Sequence, residues 1–151
     1  MEKEYKKIEN RAVYYISKRD YGIEELKEKI RLKMPESDSE LIEKAVQKMT
    51  EYGYMCDDRF VEGFIRNEKM NHNGPLKIRM KLKQKKIKDE IIDEYLDPNE
   101  DDFYKSCVYN LEKKSNGLIK DMKEKQKLYR FLASKGFLSD HISNAFSILK
   151  E

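Results

Sequence analysis

Few residues in this chain have the chemistry for a reaction centre. There are two histidines, His72 and His141, and two cysteines, Cys56 and Cys107. Adjacent carboxylates occur at Asp57-Asp58 and Asp101-Asp102. A carboxylate pair can bind a metal or move protons. Both pairs, however, stand at the start of a helical pattern with no third ligand nearby, which is where carboxylates cap free N–H groups. Asp57 is therefore expected to accept bonds from the helix that follows it. His72 lies in the turn signal Asn71-His72-Asn73-Gly74-Pro75 and is expected to face solvent. His141 aligns with Leu41 and Ile91 in a repeat described below, which makes it a partly packed helical side chain rather than a base. The cysteines have no metal-ligand spacing and read as reduced, buried or half-buried thiols. No Gly-rich phosphate loop, H-E-x-x-H pair or nucleophile elbow is present. A non-enzymatic protein without cofactor or metal is expected.

What remains is charge. The net formal charge is +3, but its distribution is uneven. From Arg66 to Lys88 there are nine Lys/Arg and one acid, Glu68; from Asp89 to Tyr104 there are eight acids and no base. Such segregation bears on partners, the alternative being two solvated helix faces. The basic positions recur in three segments. The first holds Lys27, Lys29, Arg31 and Lys33. The second holds Lys77, Arg79, Lys81, Lys83, Lys85 and Lys86, with Arg66 ahead of it. The third holds Lys120, Lys123, Lys125, Lys127, Arg130 and Lys135. Phosphate or an acidic protein groove would suit a strip of such helices. Tyr14, Tyr21, Tyr54, Tyr104, Tyr109 and Tyr129 have rings suited to base stacking, but their helical spacing assigns most of them to core or rim.

The elements that position these residues are helices. Apolar spacing predicts them at about 5–18, 23–34, 38–52, 57–70, 75–86, 89–96, 100–114, 119–134 and 139–149. Gly53 closes the third, and Ser37 or Asp38 caps its start. Phe60, Phe64 and Ile65 form the inward face of the fourth. Asn73-Gly74-Pro75 separates the fourth from the fifth. The apolar pattern repeats. Leu41-Ile42, Ile91-Ile92 and His141-Ile142 are 50 residues apart, and Leu26/Ile30, Ile78/Leu82 and Leu128/Leu132 follow at 52 and then 50. The fold class expected is all-α, an elongated, curved array of three tandem three-helix repeats. The 151 residues form a single helical-repeat protein with units at about 5–52, 57–96 and 99–150. Charged residues are 40% of the chain and apolar ones 38%, so the core must be thin. No apolar run reaches the roughly 18 residues of a membrane span, and the N-terminus lacks a signal-peptide core. A cytoplasmic protein with no membrane partner is expected.

The segment Gly53-Tyr54-Met55-Cys56-Asp57-Asp58-Arg59-Phe60, with Phe64-Ile65-Arg66 after it, resembles the G-Y-L-x-D-x-R-F signature of the RecX family. Gly74-Pro75-Leu76-Lys77-Ile78, Leu82 and Lys86-Ile87 resemble that family's next pattern, with Lys86 standing where glycine is usual. Lys125-Gln126-Lys127, Arg130-Phe131-Leu132 and Lys135-Gly136-Phe137 are similar to its last one. Ala12, Tyr15-Ile16-Ser17, Arg19, Glu25-Leu26 and Ile30 fit its weaker first motif. The resemblance covers about Arg11 to Phe146. It implies tandem three-helix units and a regulator, usually an inhibitor, of the RecA recombinase. That regulator would lie in the groove of the RecA filament on DNA and alter ATP turnover, strand exchange and co-protease activity. It would thereby act in recombination, DNA repair and the SOS response. The implied partners are the RecA filament and single- or double-stranded DNA, met by a monomer through the basic positions above. A nucleic-acid-binding helical protein acting without RecA is the alternative.

Overall fold

The computed structural model describes residues 2–150, with backbone only at 150. Among these residues the secondary structure is all helical: α1 Glu2–Lys18, α2 Ile23–Lys33, α3 Ser39–Glu51, α4 Asp57–Met70, α5 Pro75–Gln84, α6 Asp89–Tyr95, α7 Asp101–Ser115, α8 Met122–Ser134 and α9 Ser139–Lys150. No helix is long and apolar enough to cross a membrane.

Packing divides the chain into two compact units, Met1–Gly63 with Lys83–Ile91, and Phe64–Leu82 with Ile92–Glu151. In the first, α1, α2 and α3 pack on one another around Ile8, Ala12, Leu26, Ile30, Ile42 and Val46. In the second, α7, α8 and α9 enclose Cys107, Leu111, Leu128, Leu132, Ile142 and Phe146. The 50-residue register is visible in burial. Ile42, Ile92 and Ile142 are all buried, as are Ile30, Leu82 and Leu132. Each is the inward side chain that its 3.6-residue spacing dictates.

The helix ends follow local chemistry. Asp38 caps α3, its Oδ1 accepting the Glu40 N–H at 2.9 Å. Gly53 takes φ +74 and closes α3, with the Tyr54 N–H reaching the Met49 carbonyl at 3.0 Å. α8 starts at Met122, later than its apolar pattern suggested, because Asp121 caps it through the Glu124 N–H at 2.9 Å. α5 stops at Gln84, short of the predicted end at 86, because Lys86 takes the left-handed conformation, φ +61. Glycine adopts that conformation without the Cβ clash other residues suffer. Lys86→Gly is expected to stabilise the protein by about 1 kcal/mol, read as a higher denaturant midpoint at unchanged slope.

Three expectations need correcting. Asp57 is the first residue of α4 and does not cap it. Its Oδ1 accepts the Ile23 N–H at 2.8 Å and so caps α2, where Gly22 has no side chain to do so. Phe64 is half-buried; the inward face of α4 is Phe60, Val61 and Ile65. Cys56 is exposed, since it precedes α4 with its carbonyl accepting the Phe60 N–H at 3.0 Å and its side chain in solvent. Cys107 is buried as expected, and that burial pushes its thiol pKa up to about 12.

Candidate interaction surface

The sequence set its basic block beside its acidic block, and the fold joins them in ion pairs. In the first unit Lys83 reaches Asp89 at 2.9 Å. In the second, Arg79 pairs with Asp93, and Lys69 meets Glu100 at 2.6 Å and Asp102 at 3.1 Å. Lys81 pairs with the buried Glu68 at 2.7 Å, which also accepts from Asn73 Nδ2 at 3.2 Å. Four of the six cations of the α5 segment are therefore held by acids of this chain, Arg79, Lys81, Lys83 and Lys85.

Lys85 belongs to a network that closes the N-terminus of α2. Its Nζ lies 2.5 Å from Glu25 Oε2, while Arg19 grips both oxygens of Glu25 at 3.2 and 3.1 Å. Glu25 Oε1 also accepts the Gly22 N–H at 3.4 Å. Burial works against the Glu25 charge, but the bonds from Arg19 and Lys85 prevail and hold its pKa below the ordinary carboxylate value. The guanidinium of Arg19 stacks 3.7 Å from the Tyr21 ring centroid. On α2 itself, Lys27 bridges Glu24 and Glu43, each at 3.2 Å, and Arg31 pairs with Glu28 at 3.3 Å. Lys29 lies over the Tyr15 ring.

The last two sequence motifs meet. The Gly74 N–H donates to the Lys135 carbonyl at 2.7 Å, and the Leu76 N–H to the Gly136 carbonyl at 2.9 Å. This clasp brings Lys77, Lys81 and Lys135 together. Burial, then the charges of Lys77 and Lys81, lower the pKa of Lys135, with Glu68 opposing. Pro75, Ile78, Leu82, Leu132 and Phe137 are the buried apolar members of these motifs, and Phe131 is half-buried. Tyr54 and Arg59 lie at the surface, Arg59 donating to the Tyr54 carbonyl at 3.1 Å.

The cations of α8 have no acid partner among the described residues, a state they share with Lys7, Arg11 and Lys18 of α1 and Lys113 and Lys114 of α7. Lys123, Lys127 and Arg130 of α8 are exposed. Lys125 lies over the Phe146 ring, 5.4 Å from its centroid. Arg66, Lys77 and Lys86 are likewise without an acid partner among the described residues.

Neither histidine behaves as a base poised for chemistry. His72 is half-buried, not solvent-facing, because it takes φ +60 and stacks on Tyr109 with centroids 3.9 Å apart. His141 is 0% exposed. Its Nδ1 accepts the Leu138 N–H at 3.1 Å, so Nε2 carries the proton and donates to the Pro98 carbonyl at 2.9 Å. Burial lowers its pKa, opposed by the Pro98 carbonyl and by Asp140. Unfolded histidine takes its proton near pH 6.5, and the folded ring takes it only below that. The contribution to stability is complete above about pH 6.5 and is lost as pH falls toward the lower folded value. The Tm is expected to drop between pH 7 and 5.5, and His141→Gln to remove that part of the drop. An unchanged pH profile in the variant would contradict this. Among the described residues no group of His, Cys, Asp and Glu side chains is placed to hold a metal ion.

The all-helical architecture, the 50-residue register of buried positions and the glycine-mediated contact between helix ends define the class of the chain as a helical-repeat protein. Comparisons with known proteins narrow this. Residues 57–96 match the second three-helix domain of RecX, and residues 100–146 match the third. "Regulatory protein RecX" of Actinobacillus pleuropneumoniae (serotype 5b) is 36% identical over 139 residues, covering 92% of this chain and 90% of that one. The protein of the same name from Vibrio parahaemolyticus is 32% identical over 141 residues, covering 93% and 90%. The chain belongs to the RecX family. In fold it is similar to the crystal structure of RecX from Lactobacillus salivarius, with a TM-score of 0.85 at 23% identity over 99% of each chain.

Proposed function

We propose that this protein regulates RecA by binding the RecA filament on DNA, and that its effect is inhibitory. The reading is supported above all by family membership over nine-tenths of the chain. The unpaired cations add a physical reason. Lysine and arginine side chains without an internal acid are available to phosphate or to acidic protein surface. The cations already in ion pairs, Lys27, Arg31, Arg79, Lys81, Lys83 and Lys85, hold the fold first. The binding set is therefore weighted toward Arg66, Lys77, Lys86, Lys125, Lys127 and Arg130. The three tandem three-helix units remain part of this proposal, since contacts repeated along a filament add through avidity. Inhibition would extend to strand exchange and co-protease activity, because both depend on the same filament.

Co-sedimentation with RecA filaments assembled on single-stranded DNA tests the reading. The protein is expected in the pellet with RecA and DNA together, and less of it there as salt rises. A protein that stays in the supernatant with RecA filaments but shifts naked DNA in a gel would favour the DNA-binding alternative.

A further inference from the structure

Six of the ten cations of the α2 and α5 segments are bound to acids of the same chain, Lys27, Arg31, Arg79, Lys81, Lys83 and Lys85, while α8 carries a row that is not. Lys123, Lys127 and Arg130 are spaced by four and then three residues, which puts them on one strip of the helix. All three are exposed, and none has an acid partner among the described residues. Ser134 continues the strip, and Gln126 and Ala133 flank it. α7 adds a fourth charge. The Lys114 ammonium lies over the Phe131 ring, 5.1 Å from its centroid, and Phe131 is the residue one turn after Lys127. The apolar side of α8, Leu128 and Leu132, is committed to the core.

We infer that the α8 strip of Lys123, Lys127 and Arg130, with Lys114 beside it, is a contact surface for the phosphate backbone of nucleic acid. Two features separate this from a docking face for an acidic protein. The strip itself, Lys123, Lys127, Arg130 and Ser134, holds no apolar or aromatic residue, the exposed Met122 and Tyr129 of α8 lying off it by helical spacing and Phe131 half-buried under Lys114, whereas the centre of a protein interface is built on such anchors. Its charges also follow one another with rises of about 6 and 4.5 Å along the helix axis, a row suited to a line of phosphates. Such a surface positions the protein without reading bases. The inference deepens the proposed function by naming the part of the chain that meets DNA, but it does not require RecA.

The test is anisotropy of a fluorescein-labelled single-stranded oligonucleotide of mixed sequence, titrated with the full chain across a salt series and without RecA. The triple variant K123E/K127E/R130E is expected to bind at least 10-fold more weakly at low salt. Its log–log salt slope should be shallower by about 2, since each lost phosphate contact removes roughly 0.7 on a single strand. Its melting temperature should stay within a few degrees, because these side chains make no ion pair to lose. The matched variant K27E/R31E on α2 is the control and should lose less DNA affinity. Equal affinity of the triple variant, or no binding by the wild type, would overturn the inference. So would loss of RecA co-sedimentation with DNA affinity unchanged, which would make the strip a protein-binding face. Wild-type DNA binding through the strip, with no effect on RecA, would leave the inference standing and remove the proposed function instead.

Discussion

Gly136→Ala is expected to destabilise the fold by about 3–5 kcal/mol, the sum of a backbone collision and a left-handed conformation. Gly136 has φ +95, and an added Cβ would stand 2.4 Å from the Lys77 nitrogen and 2.5 Å from its Cβ. Neither neighbour is the loose end of a side chain, so the clasp between the start of α5 and the end of α8 must open. Its partner reports the same contact from the other side. A Cβ on Gly74 would lie 2.3 Å from the Gly136 carbonyl carbon and 2.6 Å from the Phe137 nitrogen. Gly53 is the control. It has φ +74, but a Cβ there meets nothing within 4 Å, so Gly53→Ala carries only the conformational cost of about 1 kcal/mol. Thermal melts of the three variants give the ranking, at roughly 2–4 °C per kcal/mol for a chain of this size. A Gly136→Ala variant as stable as Gly53→Ala would show that the two segments do not touch as described.

The second large effect separates two phenylalanines on one helix. Phe60→Ala is expected to lose about 3–4 kcal/mol, because the ring is 5% exposed and packs in the first unit near Gly22 and beneath the Lys85 ammonium. Phe64 is half-buried, so Phe64→Ala should cost about half as much, or less. Chemical denaturation of both variants checks the difference. Equal losses would mean that the α4 face is rotated toward the one read from spacing alone.

That difference illustrates what the sequence discloses. Phe60, Phe64 and Ile65 satisfy a helical stripe, but so do Phe60, Val61 and Ile65, and periodicity does not choose between them. The choice depends on what lies opposite. The larger pattern was legible because core positions recur. Ile42, Ile92 and Ile142 could be aligned by eye, and each is buried. Local punctuation was legible for the same reason, since Gly53 and Asp38 act on residues within one turn of themselves. Lys86 stands where glycine is usual, but the apolar spacing runs the fifth helix through it, and its left-handed conformation ends that helix two residues earlier.

Long-range pairing was not legible. Asp57 caps a helix whose first residue lies 34 positions earlier, and Lys85 reaches Glu25 across 60. Gly74 and Gly136 were each recognisable as special, but nothing local said that they meet. The same limit applied to the candidate surface. Lysines at similar density on α2, α5 and α8 looked equivalent in sequence. Only the fold shows that Lys27, Lys81 and Lys85 are held by Glu43, Glu68 and Glu25, whereas Lys123, Lys127 and Arg130 are not held. Lys69, Arg79 and Lys83 of the basic block that suggested an external partner are held by acids of the block that follows it.

The most direct test of the regulatory assignment is the single-stranded-DNA-dependent ATP hydrolysis of the RecA from the same organism, titrated with this protein at two salt concentrations. Hydrolysis is expected to fall as the protein is added, and to fall less at the higher salt, where the cationic contacts are screened. Unchanged hydrolysis at both salt concentrations, by a protein shown to be folded from its melting curve, would contradict it.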